Sequence, residues 1–324
     1  MSNKVFKEIS VIGCGRWGGF LGWYTAGRCA ENVLMYGLEK DPSYQALKNT
    51  GKNDYITLAP NQHLTTDIVE ALKNDFIIVS IGCQNFRDLC KQLAQYDLTG
   101  KTFLLAMKGL EANTGKRMTQ IFREEIAQSD IDVCVLCGPG HVQDYLKNIP
   151  SCVVIDSDDE SAKRLVADYI NSDLIRVYYG CDLIGNEIGA ALKNVIGIAA
   201  GILDGLEWQG LKGALMARAP REVGRFIAHF KGDPMTAYGL AHLGDYEATL
   251  FSPYSHNRAF GEHLIKGPRF EKLAEGVPTI QAVHHLSSVI EMPICEALYQ
   301  TIYNNADVHQ QMDQLFQRPT RAEF

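Results

Sequence analysis

The chain has 324 residues, with 31 Lys and Arg against 38 Asp and Glu and a formal net charge of −7, and is long enough for two domains with separate cores. The negative balance excludes a broad polyanion-binding surface, so nucleic acid is not an expected partner and any phosphate must be held by a local site. Nine cysteines, an odd number scattered through strand-like and helix-like segments, with no charged start and apolar core ahead of Val5, lead to the expectation of reduced thiols in the cytoplasm.

Residues 9–13 (ISVIG) are a β-branched run ending in glycine, and Gly13-Cys14-Gly15-Arg16-Trp17-Gly18 follows at once. Residues 19–29 have helix length and 33–36 read as a second strand. Strand, G-x-G-x-x-G, helix and strand within some thirty residues form the context of a dinucleotide fingerprint. Its glycines allow a tight turn, room for a pyrophosphate against backbone N–H groups, and close packing of helix on strand. Glu39 stands just past the second strand, where a carboxylate can accept both ribose hydroxyls and repels a 2′-phosphate, so NAD is favoured over NADP. Lys40 beside it keeps that preference moderate.

Alternation of strand and helix continues to about Tyr179. Residues 76–81 (FIIVSI) are a continuous apolar run of the kind buried on both faces of a parallel sheet. Further strands are expected at 102–106, 133–137, 152–155 and 174–178, with helices at 85–95, 114–128 and 160–170. This pattern predicts a doubly wound sheet, whose ligands gather beyond the carboxyl ends of the strands. The residues to inspect there are Gly82-Cys83-Gln84, Met107-Lys108-Gly109 and Gly138-Pro139-Gly140-His141, and Lys108 is the cation among them. Cys134 and Cys137 form a C-x-x-C inside an apolar strand, where residues three apart face opposite ways, so they read as core rather than as a metal or redox pair.

From Asp182 onward helical periodicities take over, which puts a boundary between residues 1–181, a dinucleotide-binding domain, and 182–324, a helical substrate domain. Between Ile188 and Leu203 the one ionisable side chain is Lys193, set among Ile188, Leu192 and Ile196 at helical spacing. The run is short for a membrane span and is interrupted by that lysine. A lysine in such surroundings is a candidate proton donor or electrostatic clamp. Farther on, residues 206–230 are helical with a break expected at Pro220, residues 239–250 are punctuated by glycine and hold Asp245, and Ser255 is suited to cap a helix. Helices are expected at 279–290 and 294–304, and His284-His285 reads as a surface or packing pair because adjacent helix positions face apart. No metal is expected.

Taken together, VIGCGRWGG, MKGLEANTG, CGPGH, RVYYGCDLIGNEIGAALKNVIGIAAGILDGL, GLAHLGD, and SHNRAFGEHL followed by AEGVPT occur in one order along nearly the whole chain. In these segments the sequence resembles the NAD(P)-dependent glycerol-3-phosphate dehydrogenase family. The resemblance implies hydride transfer between NAD, or NADP, and the C2 position of dihydroxyacetone phosphate or glycerol 3-phosphate, in glycerophospholipid and carbohydrate metabolism. It implies that Lys193 is the catalytic lysine, Lys108 a substrate-contacting lysine that also meets the cofactor, and Asp245 the aspartate that works with Lys193. Ser255 and Asn257 match the loop that grips substrate phosphate and cofactor, which places His256 and Arg258 at the same substrate site, with Gly138 and Gly140 also beside the substrate and His256 near the cofactor. Gly13, Gly15, Arg16, Trp17, Gly18, Glu39 and Glu275 match cofactor contacts. The partner is then a small phosphorylated molecule, with a homodimer left open as the assembly.

Three departures from the family pattern bear on specificity. Gly138-Pro139-Gly140 stands where Gly-Pro-Ser is usual, which removes a hydroxyl. His256 replaces an arginine, and an imidazole lacks the guanidinium fork, so Arg258 is the neighbouring cation expected to take its place. ALMARAPREVGRF replaces a threonine-arginine-glycine pattern, with Arg218 keeping the basic position. Two alternatives therefore stand beside the leading one: a dehydrogenase for another small phosphorylated or carboxylated carbonyl compound, and a catalytically lapsed NAD-binding regulator.

Overall fold

The computed structural model describes residues 6–28, 30–267, 270–320 and 322–323. Its contacts divide the chain into two compact units, one of residues 1–108 and 118–183, the other of 109–117 and 184–324. The division is therefore not a single cut in sequence. Residues 109–117 join the second unit because Leu110 enters its core and Arg117 pairs with Glu187. Gly115 helps, since its φ of +68° suits glycine and a Cβ there would stand 2.1 Å from Leu286.

The first unit is an eight-stranded sheet: β1 (Glu8–Ile12), β2 (Asn32–Tyr36), β3 (Gln62–Thr65), β4 (Phe76–Val79), β5 (Thr102–Leu105), β6 (Asp132–Cys137), β7 (Ser151–Asp156) and β8 (Ile175–Tyr179), in the order β3-β2-β1-β4-β5-β6-β7-β8. Every neighbouring pair is parallel except β6 and β7. β4 is buried along its whole length, as its unbroken apolar run predicts, and so is β5 beside it. The strand that periodicity misses is β3, QHLT, because it lies at the sheet edge and carries polar residues. Strand order reverses at β1, which pairs with β2 on one side and β4 on the other, and the glycine turn follows β1 at this switch point.

The second unit is helical. Its longest helix, Leu183–Gly205, has 23 residues, so length and composition alone would permit a membrane crossing, contrary to the shorter run read from sequence. Its apolar side chains instead fill the core of this unit, with Ile188, Leu192, Val195, Ile198 and Ile202 packed against Val223, Phe226, Ile280 and Leu298. The helix Lys212–His229 runs through Pro220 without the expected break. Proline at 220 cannot donate to the carbonyl of Met216, four residues back. That carbonyl accepts a hydrogen bond from the Tyr246 hydroxyl at 2.6 Å, so no buried acceptor is orphaned and the helix continues.

Candidate functional site

In the first unit the glycine turn has the shape that a dinucleotide requires. Gly13 has φ +114°, and a Cβ on it would lie 2.1 Å from the Ser80 carbonyl oxygen beyond β4. A Cβ on Gly18 would lie 2.2 Å from the Gly13 oxygen, so helix and strand approach as closely as backbone allows. Gly15 is different: the space its Cβ would enter is open, which leaves room for a pyrophosphate at the N-terminus of the helix Arg16–Arg28. The Trp17 indole N–H beside it is buried without a hydrogen-bond partner among the described residues. A cradle that side chains would fill and an unused donor both fit a bound dinucleotide. Arg16 opens the same helix and is half-buried. Cys14, within the turn, is not a nucleophile, because burial pushes its thiol up to about 12.

Glu39 is exposed three residues past β2, and its carboxylate accepts from Lys48 Nζ at 2.6 Å and Gln45 Nε2 at 3.0 Å. The Lys48 hydrogen bond holds the Glu39 carboxyl below the usual range. Lys108, past the end of β5, donates to the Gly138 carbonyl past the end of β6 at 2.7 Å, so two of the strand-end segments singled out in the sequence meet. Gly138 has φ +109°, in the region that favours glycine. Gly140 is hemmed in by Tyr145: a Cβ there would stand 2.7 Å from the ring and from its hydroxyl oxygen. Tyr145 is itself stacked on Phe20 at 5.0 Å between centroids.

In the second unit Lys193 lies near the middle of the helix Leu183–Gly205, with its side chain 14% exposed, and meets Asp245 Oδ1 at 3.1 Å. Its Nζ also reaches Thr249 Oγ1 at 3.4 Å, and that hydroxyl donates to the Asp245 carbonyl at 2.8 Å. Asp245 is the first residue of the helix Asp245–Leu250, which follows a π turn at Leu240–Gly244. Such turns are often found at functional sites.

Ser255 caps the helix His256–Lys266 by accepting from the Arg258 backbone N–H at 3.2 Å, as the sequence suggests. Half-buried His256 is the first residue of that helix. Asn257 is a bracket: its Nδ2 donates to Asn194 Oδ1 at 3.0 Å, and its Oδ1 accepts from the Gly276 N–H at 2.9 Å. These bonds tie the residue after Lys193 to the start of the helix Gly276–Leu286, next to Glu275. Arg258, the cation expected to stand in for the missing arginine, is held by carboxylates of its own unit. Its guanidinium bonds Asp204 at 2.7 Å and the Ser252 carbonyl at 3.0 Å, with Glu262 at 3.5 Å, and Asp204 is shared with Lys212 at 2.6 Å.

Sequence reasoning passed over Thr249 and the Asn194–Asn257 bond. Neither residue type at those positions signals a partner 56 or 63 residues away.

A switch-point glycine turn shaped for a pyrophosphate, joined in one chain to a helical unit with an ion-paired lysine, defines the class of two-unit nicotinamide-dependent dehydrogenases. The chain belongs to the NAD-dependent glycerol-3-phosphate dehydrogenase family: residues 8–163 match the family's N-terminal model and 182–313 its C-terminal model. It is accordingly an NAD(P)-dependent oxidoreductase. A glycerol-3-phosphate dehydrogenase [NAD(P)+] of Staphylococcus epidermidis is 31% identical over 98% of this chain and 100% of its own length. The crystal structure of glycerol-3-phosphate dehydrogenase from Coxiella burnetii is similar with a TM-score of 0.90 and 25% identity, over 97% of this chain and 99% of that one. The enzyme of Saccharomyces cerevisiae shares the fold, with a TM-score of 0.80 at 22% identity over 96% of this chain and 99% of that one.

Proposed function

We propose that the chain interconverts dihydroxyacetone phosphate and glycerol 3-phosphate with NAD(H), using Lys193 as the group that meets the reacting oxygen. The observation that carries this reading is the Lys193–Asp245 ion pair at 3.1 Å on an otherwise apolar helix. Asp245 orients the ammonium, and Thr249 limits its swing. When a substrate ketone is reduced, negative charge develops on its oxygen, and a cation held at that point stabilises the transition state more than the ground state. Lys193 then gives its proton to that oxygen, and in the reverse direction takes it back.

Bound nicotinamide dinucleotide supplies or accepts the hydride. The chain's part is to hold the pyrophosphate at Gly13, Gly15 and Gly18 with Arg16 and Trp17, and the ribose at Glu39, with Lys108 and Glu275 as further contacts. NAD is preferred because the Glu39 carboxylate repels a 2′-phosphate, and Lys48 moderates that repulsion. Lys108 polarises and holds the substrate beside Gly138 and Gly140. Ser255, His256 and Asn257, at the N-terminus of an 11-residue helix, receive its phosphate. None of the eight described cysteines is in a disulfide, which supports a cytoplasmic setting.

The test is to mix the purified protein with NADH and dihydroxyacetone phosphate and to follow nicotinamide absorbance, with rapid oxidation expected. A second reading, another small phosphorylated or carboxylated carbonyl substrate, is favoured by Arg258 being engaged with Asp204. Faster turnover of a carboxylated or unphosphorylated analogue than of dihydroxyacetone phosphate would select it.

A further inference from the structure

His242 is fully buried in the π turn that precedes Asp245, and it packs on the helix that carries Lys193. A Cβ built on Gly189 would stand 3.0 Å from the His242 Cβ, so glycine at 189 lets the imidazole reach the helix backbone. The His242 Nδ1 lies 3.0 Å from the Gly189 carbonyl oxygen. A carbonyl only accepts, so Nδ1 bears the proton and Nε2 the lone pair. In an α-helix the carbonyl of residue 189 is also the acceptor for the backbone N–H of residue 193. His242 and the backbone of Lys193 thus share one oxygen.

One turn farther along, Asp245 meets the Lys193 side chain, and a turn beyond that the space beside Gly197 is closed by Thr249, whose Cγ2 would lie 3.1 Å from a Cβ there. Positions 189, 193 and 197 therefore face 242, 245 and 249 as three successive rungs. The wide π turn at Leu240–Gly244 sets the phase between the first rung and the second.

We propose that His242 is the positioning residue of the Lys193–Asp245 pair: its bond to Gly189 fixes the register in which the carboxylate meets the ammonium. The inference rests on the reading of Lys193 as proton donor. The ring suits the task because it stays uncharged at neutral pH, burial having pulled its pKa down to about 4, and an uncharged ring does not compete with Lys193 for Asp245. Tyr246, in edge contact at 4.9 Å, holds its other side.

Three variants read out the role. His242→Leu keeps volume and removes the donor, His242→Asn returns an N–H near the position of Nδ1, and His242→Gln places its amide near Nε2 instead. The expected result is a fall in kcat of about tenfold or more for His242→Leu with the NADH KM unchanged, and recovery of most of the loss in His242→Asn, as sub-ångström misplacement of a reacting group predicts. Equal kcat in the Leu and Asn variants, or parental kcat in the Leu variant, overturns the inference. If the Leu variant does not fold, the contrast is read between Asn and Gln, and equal kcat there overturns it. Lys193→Ala assayed alongside separates the two claims. Loss of turnover there with parental kcat in His242→Leu removes the positioning role alone, whereas retained turnover in Lys193→Ala removes the reading beneath it.

Discussion

Tyr145 takes up the space that a side chain at residue 140 would need, its ring and hydroxyl both 2.7 Å from where a Gly140 Cβ would be. The glycine that departs from the family's usual serine is thus matched by a neighbour, and Tyr145 cannot move aside easily because Phe20 stacks on it. Gly140→Ser is expected to destabilise the protein by about 1–3 kcal/mol, the usual cost of overpacking a filled site. Chemical unfolding measures it, and a variant as stable as the parent would show that the tyrosine yields freely.

On the proposed assignment of Lys193 as general acid and as the charge facing the developing oxyanion, Lys193→Ala should leave NADH affinity nearly intact while lowering turnover by roughly a hundredfold or more. Fluorescence titration with NADH and single-turnover kinetics give the two halves of this result. Turnover within about tenfold of the parent would count against the assignment.

His242 makes stability depend on pH in a defined direction. Burial lowers its folded pKa from 6.5 to about 4, so below pH 6.5 the unfolded chain binds a proton that the folded one refuses. Stability attributable to this residue is complete above pH 6.5 and declines as pH falls, by up to about 3 kcal/mol near pH 4. Urea unfolding of parent and His242→Asn across this range should show a shallower acid slope in the variant. Parallel slopes would mean that the imidazole is protonated in the fold.

Glu222 is buried and accepts hydrogen bonds from the backbone N–H groups of Ile294 and Cys295, both at 2.9 Å, in the first turn of the helix Pro293–Tyr303. Glu222→Ala leaves one buried and one part-buried donor unpaired and should cost about 2–4 kcal/mol. Its kcat, measured well below the melting temperature, should stay close to the parent's. A drop in kcat with stability preserved would give this acid a role in the chemistry.

On the proposed placement of Glu39 at the ribose, Glu39→Ala should shift the cofactor ratio toward NADPH, because a carboxylate that would repel a 2′-phosphate is gone while Lys40 and Lys48 remain. The ratio of kcat/KM with the two cofactors is the measurement. An unchanged ratio would mean that other residues set the preference.

What the sequence could tell on its own was whatever depends on nearest neighbours and periodicity. The strand, glycine turn and helix at the start, the unbroken apolar run of β4, the Ser255 cap and the isolated Lys193 were all legible, because each is a local pattern with a local physical cause. Tertiary structure decided whatever depends on a partner far along the chain. It showed that Met216 is satisfied by Tyr246 so that Pro220 does not break its helix, that QHLT becomes an edge strand, and that residues 109–117 belong with the second unit. It also showed that Arg258 is committed to Asp204 and that His242 shares a carbonyl with the backbone of Lys193. A buried polar atom must find some partner, but only the packing of distant segments selects which one, and no spacing in the sequence records that choice.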